Sequence, residues 1–524
     1  MLAALRGRGY AELERRFRWE VPPRMNLGVL CADAQPARRL ALVHVGAGRR
    51  RLYTFGDLAR LSDRMANVFA GLGLRPGDRV AVVLPQGPTC AIAHLGAYKA
   101  GLVAVPLATR FGIDALRYRL EDSGARAAVT DRETVDRVQS PALEHILLAE
   151  QLEQTLASAG ARFAAVDSRA DDPVLLIYTS GTSGPPKGVL HAHRVLVGQA
   201  PGFRLAHELL PRRGDLMWTP ADWAWVGGLV NTLLLAWAHG VPMVSAPRRT
   251  FDPEWALDVM AREGVRNTFL PTTALRMLRG HRVPRHLRLR SLMSGGEAQE
   301  PELAEATLAA FGLPTNEAYG QTEADFLVGH CSSLWAARPG TMGLPVPGHE
   351  VALQDDDGRP VAVGDVGEVV VRGPDPTFLL EYWRRPEATA AKFRGEWLRT
   401  GDLARRDADG YLWFESRADD VIKSAGYRIG PGEIEECLLR HPAVAGAAVV
   451  GAPDPVRGQV VKAFVQLRPG VAGSPGLESE LRENVKARLS SYQQPRLIEF
   501  LSELPLTTSG KVDRARLRAG GTPT

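Results

Sequence analysis

The rest of this chain is organised around the stretch Ile177–Val189, which reads IYTSGTSGPPKGV. An apolar run, Val174 to Ile177, predicts a buried strand, and it leads into a loop of hydroxyls and glycines that holds one lysine. Glycines let backbone N–H groups approach an anion, hydroxyls donate further hydrogen bonds, and an ammonium group neutralises negative charge. The loop is therefore predicted to bind phosphate.

Two other interpretations of this loop have to be weighed. When Gly181 is aligned with the first glycine of the phosphate-loop pattern G-x-x-x-x-G-K-[ST], Pro186 occupies the second glycine position and Gly188 the hydroxyl position. Neither position matches the pattern, so an ordinary P-loop nucleoside triphosphatase is not predicted. A flexible Ser/Gly/Pro linker stays open on this stretch alone, because glycine-rich segments are common.

The composition is that of a globular protein. The chain has 524 residues, of which 45% are hydrophobic and 23% charged, which is long enough for several domain-sized units. The net charge is +5 without a basic run, so nucleic acid is not an expected partner. No window approaches the roughly 18 apolar residues of a membrane span, and the first residues lack the apolar core of a signal peptide. Four scattered cysteines indicate reduced thiols, and we expect a cytoplasmic protein.

Lysine is rare in this chain, which makes its positions informative. Only 7 of the 64 Lys and Arg residues are lysine. Three of the seven, Lys187, Lys423 and Lys511, are predicted in short loops with a glycine within three positions. Arginine's planar fork does not replace a compact, rotatable point charge, so we interpret these lysines as functional.

Strand-like and helix-like segments alternate from about Tyr53 to Met293, which is the signature of parallel sheets covered by helices. The arginine-rich stretch to about Gly48 is predicted to be a surface arm with one helix, and the segment from Val189 to Ala206 is predicted to be helical. Ligands of such sheets bind beyond the carboxyl ends of the strands. We therefore expect the loops at residues 179, 295 and 319 to face one crevice.

The predicted fold class is α/β, with a large N-terminal domain and a small, mobile C-terminal α/β domain. The large domain is expected to contain two α/β subdomains with parallel-rich sheets and a small β-subdomain. We place the N-terminal domain at residues 1–418, with its β-rich part at about 340–418, and the C-terminal domain at 419–524. Short β-runs and turns after about Gly340, followed by a polar crossing at 417–420, mark these boundaries.

The loops together supply groups suited to nucleotide chemistry. The segment 294–297 reads SGGE, the segment 319–323 reads YGQTE, and a second lysine loop lies near the C-terminus. A phosphate cradle, a hydroxyl and carboxylate pair, an aromatic ring and a second lysine suit an ATP-using transfer at the α- or γ-phosphate. Each group alone is a weak signal, since Glu323 also fits a surface charge and Tyr319 a core ring.

At this point the sequence resembles the adenylate-forming superfamily of acyl-CoA synthetases, non-ribosomal peptide adenylation domains and luciferase, and most of all a medium-chain-type acyl-CoA synthetase. The motifs that carry the resemblance are YTSGTSGPPKG at 178–188, YGQTE at 319–323, TGD at 400–402, RADD at 417–420 with KSAGYRI at 423–429, and SGK at 509–511. The resemblance extends from the region near Tyr53 to Lys511.

The resemblance implies an acid–thiol ligase that works in two steps. A carboxylate attacks the α-phosphate of ATP to give acyl-AMP and pyrophosphate, and a thiol, usually of coenzyme A, then displaces AMP. The implied cofactors are ATP, Mg²⁺ and coenzyme A. Loading of a carrier-protein phosphopantetheine stays open as an alternative acceptor, and a non-catalytic nucleotide-binding protein is the less favoured third hypothesis.

The resemblance also implies roles in nucleotide binding. The loop that grips the β- and γ-phosphates is expected to contain Thr179, Ser180, Gly181, Thr182, Ser183, Gly184 and Lys187. Thr182 and Glu323 are expected near Mg²⁺, a hard cation suited to oxygen ligands. Tyr319 is expected to stack on adenine. Further nucleotide contacts are expected from Gly295, Gly296, Glu297, Gly320, Gln321, Thr322, Asp402 and Arg417.

The remaining implied roles concern the two half-reactions. Lys511 resembles the adenylation lysine, which brings the substrate carboxylate and the α-phosphate together and is counted as catalytic with Thr182 and Glu323. Asp419 falls at the hinge about which the C-terminal domain would turn. Contacts in the thioester-forming step are expected from Gly426, Tyr427 and Arg428.

The acid itself is expected to be larger than acetate: medium-chain, branched or aromatic. The acyl pocket is expected to contain Trp223, Trp225, Val226, Gly227 and Gly320. Acetyl-specific members of the family carry a tryptophan at the position of Gly320, and glycine there is expected to leave the pocket open. The expected partners are small molecules, and the sequence leaves monomer and homodimer open.

Overall fold

The computed structural model describes residues 9–46, 48–179, 185–418, 420–424, 427–454, 458–488, 493–507 and 511–520. These residues fall into two compact units. The first lies within Met1–Thr179, Pro186–Val351 and Arg372–Leu398, and the second within Ser180–Pro185, Ala352–Val371 and Arg399–Thr524. The predicted boundary between residues 418 and 419 stays a prediction.

The first unit contains a nine-stranded and a seven-stranded sheet. The nine-stranded sheet has the order Leu344–Pro345, Ala324–Gly329, Thr315–Gln321, Ser291–Gly295, Asn267–Phe269, Met217–Trp218, Met243–Ser245, Leu40–Gly46 and Arg49–Thr54. The seven-stranded sheet has the order Glu381–Tyr382, Lys187–Ala192, Pro173–Thr179, Val103–Pro106, Arg79–Val83, Ala127–Thr130 and His145–Leu148. The central strand pairs of both sheets are parallel and the pairs at their ends include antiparallel ones, so the predicted α/β class with parallel-rich sheets is confirmed.

Helices connect these strands. Those described in the first unit are Tyr10–Arg16, Phe55–Gly71, Pro88–Lys99, Ile113–Ser123, Ala149–Ser158, Val195–Ala206, Val226–Gly228, Leu235–Ala238, Pro253–Glu263, Thr272–Leu278, Pro301–Phe311 and Pro386–Ala391, with irregular helical turns at Val29–Asp33, Val135–Arg137 and Leu229–Leu234. Thr54 caps the second helix with a reciprocal hydrogen-bond pair to Asp57, which explains why that helix begins where the apolar period begins. Among the described residues, no helix is both long and apolar enough to cross a bilayer.

Two predictions about this unit are wrong. The N-terminal stretch is not a surface arm, because Leu40–Gly46 is a strand that pairs with Met243–Ser245 and buries Leu42 completely. The segment from Val189 to Ala206 is not one helix, because the strand Lys187–Ala192 precedes the helix Val195–Ala206. The strand and the helix are both largely buried, so both are apolar in sequence. A continuous apolar run does not by itself show whether a short segment is a strand or a helix.

The β-rich region and the C-terminal part contain shorter elements. The described strands are Val351–Gln354, Val366–Arg372, Phe393–Arg394, Trp397–Arg406, Leu412–Arg417, Ile422–Ser424, Tyr427–Ile429, Val444–Asp454, Gly458–Leu467 and Leu497–Leu501. The helices are Pro431–Leu439, Pro475–Arg488 and Arg514–Arg518. The last five strands form one sheet, whose core includes Ile422, Ile434 and Leu481. The α/β character predicted for this part of the chain is confirmed.

Candidate active site

The phosphate loop is bracketed by two paired strands. Pro173–Thr179 and Lys187–Ala192 run antiparallel, with Thr179 opposite Lys187. Lys187 is therefore the first residue of a strand rather than part of a loop. Gly188 lies so close to the neighbouring strand that an added Cβ would be 2.8 Å from Leu176 Cδ1, which accounts for glycine at this position. The predicted phosphate ligands Ser180, Gly181, Thr182, Ser183 and Gly184 lie outside the described residues.

Helix Ile113–Ser123 holds both ends of this loop through polar contacts. The Tyr178 hydroxyl donates to Asp122 Oδ2 at 2.7 Å, and Arg385 donates to Asp122 Oδ1 at 2.7 Å. Burial raises the pKa of Tyr178, so its hydroxyl stays protonated and able to donate. The Tyr118 hydroxyl donates to the Pro186 carbonyl at 2.9 Å. Sequence reasoning missed these contacts, because Tyr118, Asp122 and Arg385 lie outside the loop motif.

Glu323 lies at the tip of a hairpin. Gln321 pairs with Ala324, so Thr322 and Glu323 form the turn between the strands Thr315–Gln321 and Ala324–Gly329. The Gln321 side-chain oxygen accepts a hydrogen bond from Lys392 at 2.5 Å. The turn is thus held from its flank as well as by its own strands.

The hairpin tip is joined to the strand Lys187–Ala192 both through Tyr382 and by a direct hydrogen bond. The Tyr382 hydroxyl donates to Glu323 Oε1 at 2.5 Å, and Lys187 Nζ lies 5.2 Å from the centroid of the Tyr382 ring. His191 Nε2 donates to the Thr322 carbonyl at 2.7 Å. Burial lowers the pKa of His191 to about 4, so the ring is neutral at physiological pH. The structure therefore brings the predicted residues Lys187, Thr322 and Glu323 together from two different sheets.

The predicted adenine-binding residues occupy neighbouring parallel strands. Gly295 pairs with Ala318, and a Cβ added to Gly295 would be 2.5 Å from the Ala318 carbonyl oxygen. Gly296 has a φ of +94°, which favours glycine. Tyr319 follows Ala318 and is half-buried. Arg276 donates to Glu297 Oε2 at 2.8 Å, which holds the end of the segment. The segments at 295 and 319 therefore lie on adjacent strands, and the expectation that they face one crevice with the loop at 179 stays a prediction.

The predicted acyl-pocket residues form a turn lined by aromatic rings. Trp223 is buried, and the Trp225 ring packs edge-to-face on Phe111 with 5.8 Å between centroids. Val226 begins the short helix Val226–Gly228, and a Cβ on Gly227 would be 2.9 Å from the ring of Phe269. The bare backbone of Gly227 therefore faces an aromatic side chain.

Gly320 has a packing reason of its own. A Cβ at this position would be 2.3 Å from Asp325 Oδ1 and 2.7 Å from the Phe326 nitrogen. Asp325 is itself fixed, because Asn231 donates to its Oδ2 at 2.7 Å. The close approach of Asp325 therefore favours glycine at this position in this chain, independently of any effect on the acyl pocket.

The second unit contains its own predicted ligands. Asp402 lies opposite Arg417 in the hairpin of Trp397–Arg406 and Leu412–Arg417, and Arg417 donates to Asp402 Oδ1 at 2.9 Å. Lys511 is exposed; its N–H donates to Thr507 Oγ1 at 3.2 Å and its carbonyl accepts from the Thr507 N–H at 2.6 Å. Asp419, Gly426 and the side chains of Tyr427 and Arg428 lie outside what the structure describes.

The first-unit site fits a magnesium-bound nucleotide. Mg²⁺ is commonly held by one or two carboxylates together with substrate phosphates, rather than by a protein cage. Glu323 would supply one such carboxylate. Among the described residues, the structure contains no group of three or more His, Cys, Asp or Glu able to hold a metal ion. The fold and the placement of Lys187 and Glu323 around Tyr382 are compatible with an enzyme that uses ATP.

Comparison with known proteins specifies the family. The AMP-binding enzyme family matches residues 31–383, and the AMP-binding enzyme C-terminal domain matches residues 433–511. Acetyl-coenzyme A synthetase of Bacillus subtilis (strain 168) is 34% identical, and the alignment covers 93% of this chain and 88% of that protein. Acyl-coenzyme A synthetase ACSM4, mitochondrial, of Rattus norvegicus is 35% identical, with 90% and 85% covered. The chain belongs to the AMP-binding enzyme family.

A solved structure agrees with this assignment. The anthranilate CoA ligase AuaEII in complex with anthranoyl-AMP superimposes with a TM-score of 0.86 at 30% identity, covering 96% of this chain and 98% of that one. As a member of this family, the protein is an AMP-forming acid–thiol ligase, an acyl-CoA synthetase. It activates a carboxylic acid through an acyl-AMP and transfers the acyl group to coenzyme A, using ATP and Mg²⁺.

Proposed function

We propose that the acid activated by this enzyme is larger than acetate and is medium-chain, branched or aromatic. The observation that carries the proposal is the aromatic setting of Trp223, Trp225 and Gly227, in which bare backbone faces the Phe269 ring. Apolar walls with few polar groups are typical of pockets for organic ligands. The benzoate CoA ligase from Burkholderia xenovorans LB400, with a TM-score of 0.83 at 28% identity, supports an aromatic acid among the candidates.

The first step requires two anions to meet. An oxygen of the acid forms a bond to the α-phosphorus of ATP, the bond from that phosphorus to the bridging oxygen breaks, and pyrophosphate leaves with the electron pair. We assign Lys187 and the loop from Thr179 to the β- and γ-phosphates, where a positive charge stabilises the charge developing on pyrophosphate. Glu323 and Thr182 are assigned to Mg²⁺, which neutralises phosphate charge when bound.

Lys511 is assigned to the meeting point of the acid and the α-phosphate. A cation there lowers the repulsion between the two anions, so it acts by electrostatics rather than by proton transfer. Asp402 and Arg417 are assigned to the ribose hydroxyls. Their mutual hydrogen bond supports this role, because it orients the Asp402 carboxylate before the nucleotide binds.

The second step is assigned to another arrangement of the same chain. We propose that the C-terminal domain turns about Asp419 after acyl-AMP forms, withdrawing Lys511 and presenting the segment with Gly426, Tyr427 and Arg428 to coenzyme A. We also propose a cytoplasmic location, supported by four cysteines that are all buried free thiols. Subcellular fractionation with a secreted marker would test the location.

A pyrophosphate-release screen tests the acid. Acetate, butyrate, isobutyrate, octanoate, benzoate and 2-aminobenzoate are compared, each with and without coenzyme A. We expect an acid larger than acetate to have the highest kcat/KM, with thioester formed only when coenzyme A is present. Because each methylene contributes only about 1–3 kcal/mol of discrimination, we expect neighbouring chain lengths to be accepted too. If acetate has the highest kcat/KM, the proposal is wrong.

A further inference from the structure

Tyr382 contacts two oppositely charged groups of the site at once. Its hydroxyl donates to Glu323 Oε1 at 2.5 Å, and its ring lies 5.2 Å from Lys187 Nζ, within the range of a cation–π interaction. Neither the loop motif nor the hairpin motif contains this residue. Tyr382 is the second residue of the two-residue strand Glu381–Tyr382.

The backbone around Tyr382 is hydrogen-bonded both to the hairpin turn that contains Glu323 and to the strand Lys187–Ala192. The Leu379 N–H donates to the Glu323 carbonyl at 2.9 Å, which ties this segment to the hairpin tip. The Leu380 N–H donates to Leu190 and the Trp383 N–H to Gly188, each at 2.7 Å, which ties it to the strand that begins with Lys187. The phenol is therefore held at a defined distance from both charges.

Lys187 and Glu323 do not neutralise each other in this arrangement. Within the residues that the structure describes, no ion pair of 4.0 Å or shorter joins them. A direct pair would occupy the ammonium that the phosphates need and the carboxylate that the metal needs. The aromatic ring offers the ammonium a favourable contact that leaves its N–H donors available, and the hydroxyl occupies only one oxygen of Glu323.

We propose that Tyr382 is a positioning residue for adenylation, which orients Glu323 through its hydroxyl and holds Lys187 apart from Glu323 through its ring. The inference rests on the roles proposed for Lys187 and Glu323. Tyr382 does not touch the reacting atoms in this assignment. We expect Tyr382 to affect how strongly Mg²⁺ increases the affinity for ATP. A side chain that only stabilises the fold would not change this dependence.

Two variants separate the hydroxyl from the ring. Tyr382→Phe removes the hydrogen bond to Glu323 and keeps the aromatic face for Lys187. Tyr382→Leu removes both contacts. Tyr53→Phe, on the edge strand Arg49–Thr54 of the nine-stranded sheet, is the matched control for loss of a tyrosine hydroxyl outside the site.

The main measurement is binding rather than turnover. The affinity for a non-hydrolysable ATP analogue is measured by calorimetry over a series of Mg²⁺ concentrations. For Tyr382→Phe we expect the Mg²⁺ concentration that gives half of the affinity gain to rise about ten- to a hundredfold, the range of one hydrogen bond to a charged group. For Tyr382→Leu we also expect weaker binding without Mg²⁺, because Lys187 is then able to pair with Glu323.

Separate kinetic measurements of the two half-reactions complete the test of Tyr382. Both Tyr382 variants should slow pyrophosphate release and leave thioester formation from supplied acyl-AMP unchanged. The inference is overturned if Tyr382→Phe shows the Mg²⁺ dependence of the unaltered protein and of Tyr53→Phe, or if both half-reactions fall together with the melting temperature.

The variant Glu323→Gln distinguishes an error in the proposed role of Glu323 from an error in the role of Tyr382. If Glu323→Gln binds the analogue with unchanged Mg²⁺ dependence, the proposed role of Glu323 is wrong, and this inference fails with it. If Glu323→Gln loses that dependence while Tyr382→Phe keeps it, only the role of Tyr382 is wrong.

Discussion

Lys187 and Lys511 are two of the few lysines in this chain, and their surroundings differ. Lys187 begins a strand, is half-buried and has its ammonium group over the Tyr382 ring, beside a hairpin tip held by His191. Lys511 is exposed, and the two described hydrogen bonds that join it to Thr507 both use its backbone. The Lys187 ammonium is positioned by a tertiary contact, whereas the described contacts of Lys511 with Thr507 involve only the Lys511 backbone.

The difference matches the two tasks that we assign. A group that grips leaving pyrophosphate benefits from being fixed before the nucleotide binds, because preorganised charge needs no rearrangement during reaction. A group that acts in one half-reaction and withdraws in the other has to be free of permanent side-chain contacts within its own unit. The predictions below test this comparison, beginning with the largest expected effect.

Lys511→Ala should have the largest effect. We expect acyl-AMP formation to fall by at least about 100-fold, because the cation that brings the carboxylate to the α-phosphate is lost. Thioester formation from supplied acyl-AMP should be unchanged, since Lys511 has no part in that step. Acid-dependent pyrophosphate release and thioester formation are measured separately. Equal loss of both half-reactions would contradict the assigned role.

Lys187→Ala should slow pyrophosphate release by about 10- to 100-fold and raise the KM for ATP. Lys187→Arg should restore little of this activity, because a planar guanidinium does not reproduce a point charge over the Tyr382 ring at the same distance. Lys511→Arg provides the comparison at an exposed position. If arginine restores activity at position 187 as well as at position 511, the contrast between the two lysines has no functional meaning.

Gly320→Ala tests how rigid the hairpin beside Lys187 is. The added Cβ would meet Asp325 Oδ1 at 2.3 Å, so we expect a loss of about 1–3 kcal/mol of stability from overpacking. Gly71→Ala is the control, because Gly71 is the last residue of the helix Phe55–Gly71 and has nothing within 4 Å of an added Cβ. Thermal unfolding of the two variants is compared. Equal melting temperatures would show that the hairpin adjusts easily.

Glu317→Gln should change the pH dependence of stability. Burial raises the pKa of Glu317 to about 8 from an ordinary value of 4.5. The resulting stabilisation is fully present below about pH 4.5 and is lost as the pH rises through about 8, because the folded state then has to bury a charge. Glutamine stays neutral throughout.

The measurement is the melting temperature of both proteins between about pH 5 and about pH 9. We expect the unaltered protein to lose stability relative to Glu317→Gln as the pH rises. Curves that stay parallel over this range would mean that Glu317 titrates normally and that the strand beneath the hairpin tip is more hydrated than its burial indicates.

Much of the fold could be predicted because its signals are local. The helix Phe55–Gly71 and the strand Arg79–Val83 follow the apolar periods and glycine stops of the sequence closely. The strand Leu40–Gly46 was missed because the arginines around it hide its apolar period. One of its partners, Arg49–Thr54, is adjacent in sequence, and the other, Met243–Ser245, lies about two hundred residues away.

The candidate site divides in the same way. The sequence motifs, and the family resemblance that they carry, determined Lys187, Glu323, Asp402 and Lys511 as candidates, because phosphate, metal and carboxylate chemistry each needs a particular charged group. Only the tertiary structure decided that Tyr382 joins the Lys187 strand to the Glu323 turn and that Gly320 packs on Asp325. Those contacts depend on the pairing of distant strands, and a motif read along one chain contains no information about which strand lies beside it.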